Sequence, residues 1–380
     1  MSDTVASDSK KDHQIFFVVN TPLPNEQAHG IQIMQMCDAF AGTGRSVTLL
    51  IPDDGIHTAL DVRTFYKIPD TFVIEQVAIL RLPFWKGGRL SFMLRWLSFS
   101  LTVLRYVQKK CVSGDILYVR GEMVLPLALL APRCLRLCFE THIRPRRMGL
   151  YLKAMQRCEL IVTVTKAWAS ELVSDFGLAE GKILVEPDAV DRAKFNPPCG
   201  MAEARRLLGL PQDKTIITYT GSDRVWKGLE VFKDAVAKLD SHYLAVFVGA
   251  IEKKYKGDSR FLYAGFQKHE TIPLWLTAAD FLVLTGSGSA PESERYTSPL
   301  KLFEYMAMQR PIIASDVPSF REILDDETAI FIPTEGADEI ASCIKRINAS
   351  AAQPRAQKAF ALVVNYSWEL RARRIVAQLG

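Results

Sequence analysis

No stretch of the sequence is both long enough and apolar enough to cross a membrane. The longest candidate, residues 90–107, is interrupted by Arg95 and Arg105, whereas a spanning helix needs about 20 consecutive and mainly apolar residues. The chain starts MSDTVASDSKKDHQ, which is polar and lacks the apolar core of a secretory signal. We therefore expect a cytoplasmic protein in which residues 1–12 form a disordered tail.

Spacings of cysteines and carboxylates that bind metals are also missing. The 7 cysteines are scattered, mostly within apolar runs, and Cys134 and Cys138 have neither a second pair nor a histidine cluster nearby. No Asp-x-Asp element occurs. We therefore expect buried thiols in a reducing compartment, no disulfide framework, no metal site and no cofactor.

Positive charge is concentrated in one segment. Residues 81–157 contain 15 Lys and Arg against three acidic residues, a balance of +12, whereas the rest of the chain balances to −7. This asymmetry suggests an anionic partner. With Trp85, Lys86 and Trp96, residues 90–107 could lie at an anionic membrane surface as a basic helix with aromatic anchors. The alternative is a core helix whose arginines reach solvent. No nucleic-acid motif accompanies the charge, so no nucleic-acid partner is predicted.

Short apolar runs alternate with helical patterns along the chain, as in a parallel sheet covered on both faces. The predicted strands of the first half are 15–20, 46–52, 115–120, 135–140, 160–165 and 182–187, with helices at 31–41 and 166–176 among those between them. After the turn-rich residues 194–201 the pattern restarts. The predicted strands of the second half are 216–221, 243–250, 261–265, 280–286 and 311–315.

The fold class is therefore α/β, with two Rossmann-like, doubly wound domains. We assign residues 13–197 to an N-terminal domain and residues 205–364 to a C-terminal domain, followed by a terminal helix in 365–380. Two such domains are expected to face each other across a cleft, because these folds bind ligands at the carboxyl ends of their strands.

Three loops have the composition of an anion site. Gly30 precedes a predicted amphipathic helix, where a glycine permits close backbone approach, although a purely structural turn would look the same. Gly221 ends a strand and is followed by Arg224 and Lys227, two cations of the kind that neutralise a diphosphate; an ordinary solvated loop is the alternative.

The third loop is the most informative. Ser298, Pro299 and Leu300 open a helix whose free amides can bind phosphate oxygens. Glu304 follows within that helix, where its carboxylate could accept hydrogen bonds from a vicinal diol such as a ribose.

Taken in order, these motifs resemble the retaining glycosyltransferases of family 4, which have the two-domain GT-B architecture. The resemblance rests on the motifs AHGIQIMQMCDAF, VTVTKAWASELV, ILVEPDAVDRAKFNP, TGSDRVWKG, SPLKLFEYMAMQRPIIASDVPSFREIL and the terminal YSW helix. The block SPLKLFEYMA is the most specific of these. The resemblance implies a nucleotide diphosphate sugar as donor. It also implies that residues 13–197 form the acceptor-side domain and residues 205–364 the nucleotide-sugar-binding domain.

The resemblance also implies roles for individual residues. Lys227 holds the donor diphosphate with help from Arg224, Glu304 binds the ribose, and His142 lies beside the transferred sugar, although a structural histidine is the alternative. Gly30 approaches the donor phosphates and the acceptor. The implied donor-binding set is completed by the residues of two turns, namely Gly221, Ser222, Thr297, Ser298, Pro299 and Leu300. Asp188 and Asp191 are interpreted as structural.

Two positions depart from the family pattern. Tyr296 stands where the family usually has the first of two glutamates, and Ser222 stands where an arginine commonly follows the glycine.

The resemblance as a whole implies a metal-independent, retaining hexosyltransferase. We predict that its acceptor is a hydroxyl on a lipid-linked or cell-surface glycan, at the inner face of the membrane. The alternatives are a nucleotide-sugar epimerase and a non-catalytic scaffold that has kept the fold.

Overall fold

The computed structural model describes residues 13–80, 88–145 and 148–379. The predicted tail, residues 1–12, and the predicted anchors Trp85 and Lys86 lie outside this part of the chain. The described chain divides into two compact units. The first extends to Val162 and takes in Val173–Leu184 and the end of the chain from Ala372, while the second comprises Thr163–Leu172 and Val185–Arg371. The units therefore differ in extent from the predicted domains, 13–197 and 205–364.

The first unit is built on a seven-stranded sheet with the order β3-β2-β1-β4-β5-β6-β7. Its strands are β1 (Ile15–Val19), β2 (Val47–Pro52), β3 (Val73–Val77), β4 (Ile116–Arg120), β5 (Arg136–Thr141), β6 (Leu160–Thr163) and β7 (Ile183–Val185). The helices in this part of the chain are α1 (Ala28–Ala41), α2 (Ala59–Tyr66), α3 (Arg89–Lys110), α4 (Met148–Arg157) and α5 (Lys166–Ser174). Strands β1 to β5 pair in parallel.

The second unit has a six-stranded parallel sheet with the order β10-β9-β8-β11-β12-β13. Its strands are β8 (Thr215–Thr220), β9 (Tyr243–Val248), β10 (Phe261–Gly265), β11 (Phe281–Leu284), β12 (Ile312–Ser315) and β13 (Ile330–Ile332). The helices from residue 201 onward are α6 (Met201–Leu208), α7 (Leu229–Val236), α8 (Ile272–Thr277), α9 (Pro291–Glu294), α10 (Leu300–Ala307), α11 (Pro318–Arg321), α12 (Ala337–Arg346), α13 (Ala349–Leu362) and α14 (Trp368–Leu379).

Strand β11 shows why continuous apolar runs predict this fold. All four of its residues are buried, and they alternate between two apolar clusters: Phe281 and Val283 pack into one, Leu282 and Leu284 into the other. Since successive side chains of a strand point to opposite faces, both faces of the sheet are covered. The predicted doubly wound α/β class is confirmed.

Several details differ from the predictions. Strands β3 and β13 were not predicted, and α1 begins at Ala28 rather than after Gly30. The cysteines are also less buried than expected, since Cys134 is exposed. All seven are free thiols.

Helix α3 is neither a simple core helix nor a spanning one. Its second half buries Phe99, Val103 and Val107, whereas its first half is largely exposed. Trp96, a predicted interfacial anchor, instead donates its indole N–H to the carbonyl of Met123 at 2.6 Å. Among the described helices none is long and apolar enough to cross a bilayer.

Candidate functional site

The strand order of the second unit identifies one edge of its sheet as the ligand-binding edge. Strands β8 and β11 are neighbours, but the chain leaves β8 toward β9 and β10 and returns to start β11 on the other side. Sheets of this type bind ligands at the carboxyl ends of the two strands where the order reverses. Residues 221–228 follow β8 and residues 285–299 follow β11, so two of the predicted loops lie at this edge.

Glycines bring these loops together backbone to backbone. Gly228 has a φ of +65°, and a Cβ atom there would lie 2.5 Å from the carbonyl oxygen of Gly286. Gly249, at the end of β9, has a φ of +137°, and its Cβ would lie 1.9 Å from the carbonyl oxygen of Gly221. Only glycine combines a positive φ with such close approach. The loops that follow β8, β9 and β11 therefore meet through main-chain atoms at this edge of the sheet.

Lys227 lies in the short 3-10 helix Val225–Lys227 that ends at Gly228. Its Nζ donates to the hydroxyl of Ser222 at 2.9 Å. Burial and, secondarily, the nearby Arg224 lower the pKa of Lys227 from 10.5 to about 8. The structure therefore brings Lys227, Ser222 and Gly221 together, and Ser222, the departure from the family pattern, holds the lysine in place.

The turn before α10 is held by its own hydroxyl groups. Thr297 donates its hydroxyl to the carbonyl of Glu292, and the hydroxyl of Ser298 accepts the amide N–H of Asp188 at 3.0 Å. Pro299 then adopts extended backbone and Leu300 begins the helix. The hydroxyls of Thr297 and Ser298 and the amide of Asp188 are thus already hydrogen-bonded within the protein. The groups of this turn that can bind an anion are the free amides of the first turn of α10.

Glu304 is held by a histidine that the sequence analysis missed. The Glu304 side chain is buried, and its Oε1 lies 2.8 Å from Nε2 of His269, which follows β10. The His269 ring also packs against Phe195, with ring centroids 5.1 Å apart. A signal was available, because a carboxylate within the apolar run LKLFEYMA needs a partner when the helix is buried.

Tyr296 belongs to a buried polar cluster. Its hydroxyl lies 3.0 and 2.9 Å from the carboxylate oxygens of Glu171, and its ring packs edge-on against Trp168. Arg295 binds the same carboxylate at 2.8 Å. The residue that replaces the expected glutamate therefore pairs with a glutamate from another helix, α5.

In the first unit, the predicted His142 follows β5 and is held by Glu140. His142 Nε2 lies 2.6 Å from Glu140 Oε1, and the same fully buried carboxylate accepts hydrogen bonds from Gln32, at 2.7 Å, and from Tyr118. Helix α1 and strands β4 and β5 thus converge on one carboxylate, which fixes the orientation of the imidazole. The sequence analysis missed Glu140.

Gly30 has a structural reason to be glycine. It lies in the first turn of α1, and a Cβ atom there would lie 2.2 Å from the hydroxyl oxygen of Tyr66. That hydroxyl in turn bonds the main chain of Asn25, at 2.9 and 2.8 Å. Across the described residues, His, Cys, Asp and Glu side chains form no group of three that could hold a metal ion.

Comparisons with known proteins agree with this geometry. Residues 214–349 match the family described as Glycosyl transferases group 1. The lipopolysaccharide core biosynthesis mannosyltransferase LpsB of Rhizobium meliloti is 26% identical over 295 residues, covering 68% of this chain and 76% of that protein. The alpha-D-kanosaminyltransferase of Streptomyces kanamyceticus is 28% identical over 38% of this chain, and the alignment spans only 39% of that enzyme.

Solved structures cover nearly the whole chain. HepE of Anabaena, in complex with UDP and glucose, has a TM-score of 0.73 at 15% identity, with 96% of this chain and 98% of that chain aligned. Sucrose-phosphate synthase from Thermosynechococcus elongatus has a TM-score of 0.76 at 17% identity, with the same coverage. Residues 214–349 are thus similar to the group 1 glycosyl transferases, and the chain as a whole has the GT-B fold of these solved structures.

Proposed function

We propose that the protein transfers a hexosyl unit from a nucleotide diphosphate sugar to a hydroxyl group, with retention at the anomeric carbon and without a metal ion. The observation that carries the proposal is the position of Lys227: a partly buried ammonium group beside Ser222, at the edge of the sheet where the strand order reverses. The names of the relatives, which include mannosyl- and glucosyltransferases, support the same class of reaction.

In the proposed reaction the bond between the anomeric carbon and the diphosphate oxygen breaks while a bond to the acceptor oxygen forms on the same face. The acceptor proton passes to the departing diphosphate. Lys227, Arg224 and the free amides at the start of α10 stabilise the negative charge on that leaving group. Glu304, oriented by His269, accepts hydrogen bonds from the ribose. In the first unit, His142 contacts the transferred sugar and Glu140 orients its ring.

The acceptor is proposed to be carried by a lipid or a cell-surface glycan at the inner face of the membrane. Helix α3 supports this, because it presents an exposed apolar stripe at helical spacing, made of Leu90, Met93 and Leu97 in its first half and continued by Leu101. Exposed arginines, including Arg95, lie on the same half. An apolar stripe flanked by cations is the pattern of a helix that lies on an anionic lipid surface.

The donor site is tested first by ligand binding. We expect UDP, GDP or ADP, or one of their sugar conjugates, to raise the melting temperature of the purified protein, since a ligand at 100 times its Kd stabilises by about 2.7 kcal/mol. Lys227→Met should lose this shift, whereas Lys253→Met, an exposed lysine of the same unit, should keep it. The absence of any shift in well-folded protein would argue for a scaffold that has lost the site.

Product analysis then separates the reactions that use the same donor. Slow hydrolysis of the donor without acceptor, and formation of a glycoside with it, support the transferase. Conversion of the donor into a stereoisomer would identify an epimerase, and binding without either reaction a non-catalytic protein. Activity that is abolished by a chelator and restored by a divalent ion would contradict metal independence.

Membrane binding is tested by flotation with vesicles that contain an anionic lipid. We expect the protein to float at low salt and to be released by salt, because the surface attraction is screened. Met93→Asp should abolish flotation, whereas Leu207→Asp, at a comparably exposed leucine on α6, should not. Failure of the unmodified protein to float would remove the membrane from the proposal.

A further inference from the structure

Lys301 occupies an unusual position at the proposed donor site. It is the second residue of α10, and all eight residues of that helix are buried. Only 9% of Lys301 is exposed, and its Nζ has no hydrogen-bond partner among the described residues. The Nζ lies 3.8 Å from the centroid of the Tyr219 ring.

Another buried lysine shows that the fold can satisfy such a group. Lys233 is fully buried, yet its Nζ donates to Glu230 at 2.7 Å and to the carbonyl of Glu252 at 3.0 Å. A buried ammonium group without hydrogen bonds is costly, and a lysine with only a structural role has no reason to bear that cost. Lys301 therefore lacks hydrogen-bond partners of the kind that Lys233, a buried lysine of the same unit, possesses.

The charges around Lys301 show what kind of partner is missing. Burial and, secondarily, repulsion by Lys227 lower the pKa of Lys301 well below its usual value, while Glu304, one turn along α10, opposes the shift. Tyr219 faces the group from β8. Two lysines that repel each other at a helix N-terminus, where the helix dipole also favours negative charge, form a site that an anion would stabilise.

We propose that Lys301 is a second cation of the diphosphate site and takes up a proton when a nucleoside diphosphate binds. This inference rests on the proposed donor function and deepens it. The incoming oxygens replace the missing hydrogen-bond partner and screen the repulsion from Lys227, so the bound ligand favours the charged form of Lys301. Donor binding is thereby coupled to the protonation of a side chain inside the protein.

The experiment is titration calorimetry at pH 8 with UDP, GDP and ADP, repeated in buffers of different ionisation enthalpy. At this pH the terminal phosphate, with a pKa of ~6, is already ionised, so net proton uptake must come from the protein. We expect uptake by the unmodified protein and reduced uptake by Lys301→Met, in which Lys227 is intact. We also expect Lys301→Met to lower the affinity for the diphosphate by about tenfold to a hundredfold.

The results for Lys301→Met distinguish a lysine that binds the diphosphate from one with only a structural role. Lys301→Met removes a buried amine that has no hydrogen-bond partner among the described residues, so the free protein should melt at a higher temperature even though it binds the diphosphate more weakly. Unchanged affinity and unchanged proton uptake in this variant would overturn the inference, while the proposed function would stand. If the unmodified protein bound none of the three diphosphates, the proposed function itself would fail. Proton uptake by the unmodified protein needs no variant, and its absence would also overturn the inference.

Discussion

The hydroxyl of Tyr296 lies within 3.0 Å of both carboxylate oxygens of Glu171, at the position where the family pattern expects a glutamate. Restoring the family residue should therefore harm this protein, because two carboxylates would share one buried site. We expect Tyr296→Phe to cost about 1–2 kcal/mol of unfolding free energy and Tyr296→Glu about 3 kcal/mol or more. Chemical denaturation of both variants measures the difference, and a glutamate variant as stable as the phenylalanine variant would contradict this assignment.

The lowered pKa of Lys227 predicts two effects of pH with opposite sign. Diphosphate binding needs the charged lysine, so affinity should fall as the pH rises through about 8. Lys227→Arg, which stays charged, should move this fall to higher pH. An affinity that is independent of pH between 7 and 9 would disprove the prediction.

The stability of the free protein should change in the other direction. Between about 8 and the ordinary lysine value of 10.5 the unfolded chain binds more protons at Lys227 than the folded chain, so this group makes the unfolding free energy rise with pH. In Lys227→Met the rise should be smaller. Denaturation curves at several pH values above 8 measure the slope, and equal slopes in both proteins would count against the assignment.

Gly228 offers a matched test of the backbone contact between the loops after β8 and β11. Gly228→Ala imposes a side chain at a φ of +65° and 2.5 Å from the carbonyl oxygen of Gly286, whereas Gly209→Ala imposes one at +66° with open space around it. Strain from φ should cost each about 1 kcal/mol. The additional loss of stability and of diphosphate affinity in Gly228→Ala then reports the contact, and equal effects in both variants would show that the contact is unimportant.

His269 is predicted to act through Glu304. His269→Ala removes the partner of a buried carboxylate, so we expect about a tenfold lower affinity for the nucleotide, on the scale of one hydrogen bond to a charged group. His269→Gln, which keeps a donor, should recover part of it. His242→Ala, at an exposed histidine of the same unit, is the control and should keep the affinity for the nucleotide. Full affinity in His269→Ala would mean that Glu304 needs no support.

The sequence predicted two of the edge strands, β7 and β10, and missed the other two, β3 and β13. Strand β3 contains Glu75 and Gln76 and is only partly buried, while β13 has three residues. Strand β3 therefore lacks the continuous apolar run on which the predictions relied, and the apolar strand β13 is too short to stand out. The predicted start of helix α1 lies after Gly30, whereas the helix begins at Ala28 and contains this glycine. The hydroxyl of Tyr66, from α2, leaves no room for a side chain there.

In the same way, the sequence indicated the residues that can meet a ligand but not the residues that hold them. Lys227, Glu304 and His142 stand in recognisable motifs. The partner His269 and the pairing of Tyr296 with Glu171 depend on which strand ends and helices the fold brings together. Glu140 is only two positions from His142, but the sequence does not show that its carboxylate is buried and shared with Gln32. A side chain 35 or 125 positions away in the chain leaves no local pattern. Lys301 was visible in the sequence, but its missing partner was not.

The contacts of Gly228 with Gly286 and of Gly249 with Gly221 also limit how this protein can change during evolution. A surface built from main chain exposes few side chains for selection to act on, and neither Gly228 nor Gly249 can be replaced without displacing the backbone of the facing loop. The phosphate end of the site is therefore expected to be inherited nearly unaltered as relatives diverge. New preferences for base, sugar or acceptor must arise in other segments, where a side chain can vary without moving the backbone of a second loop.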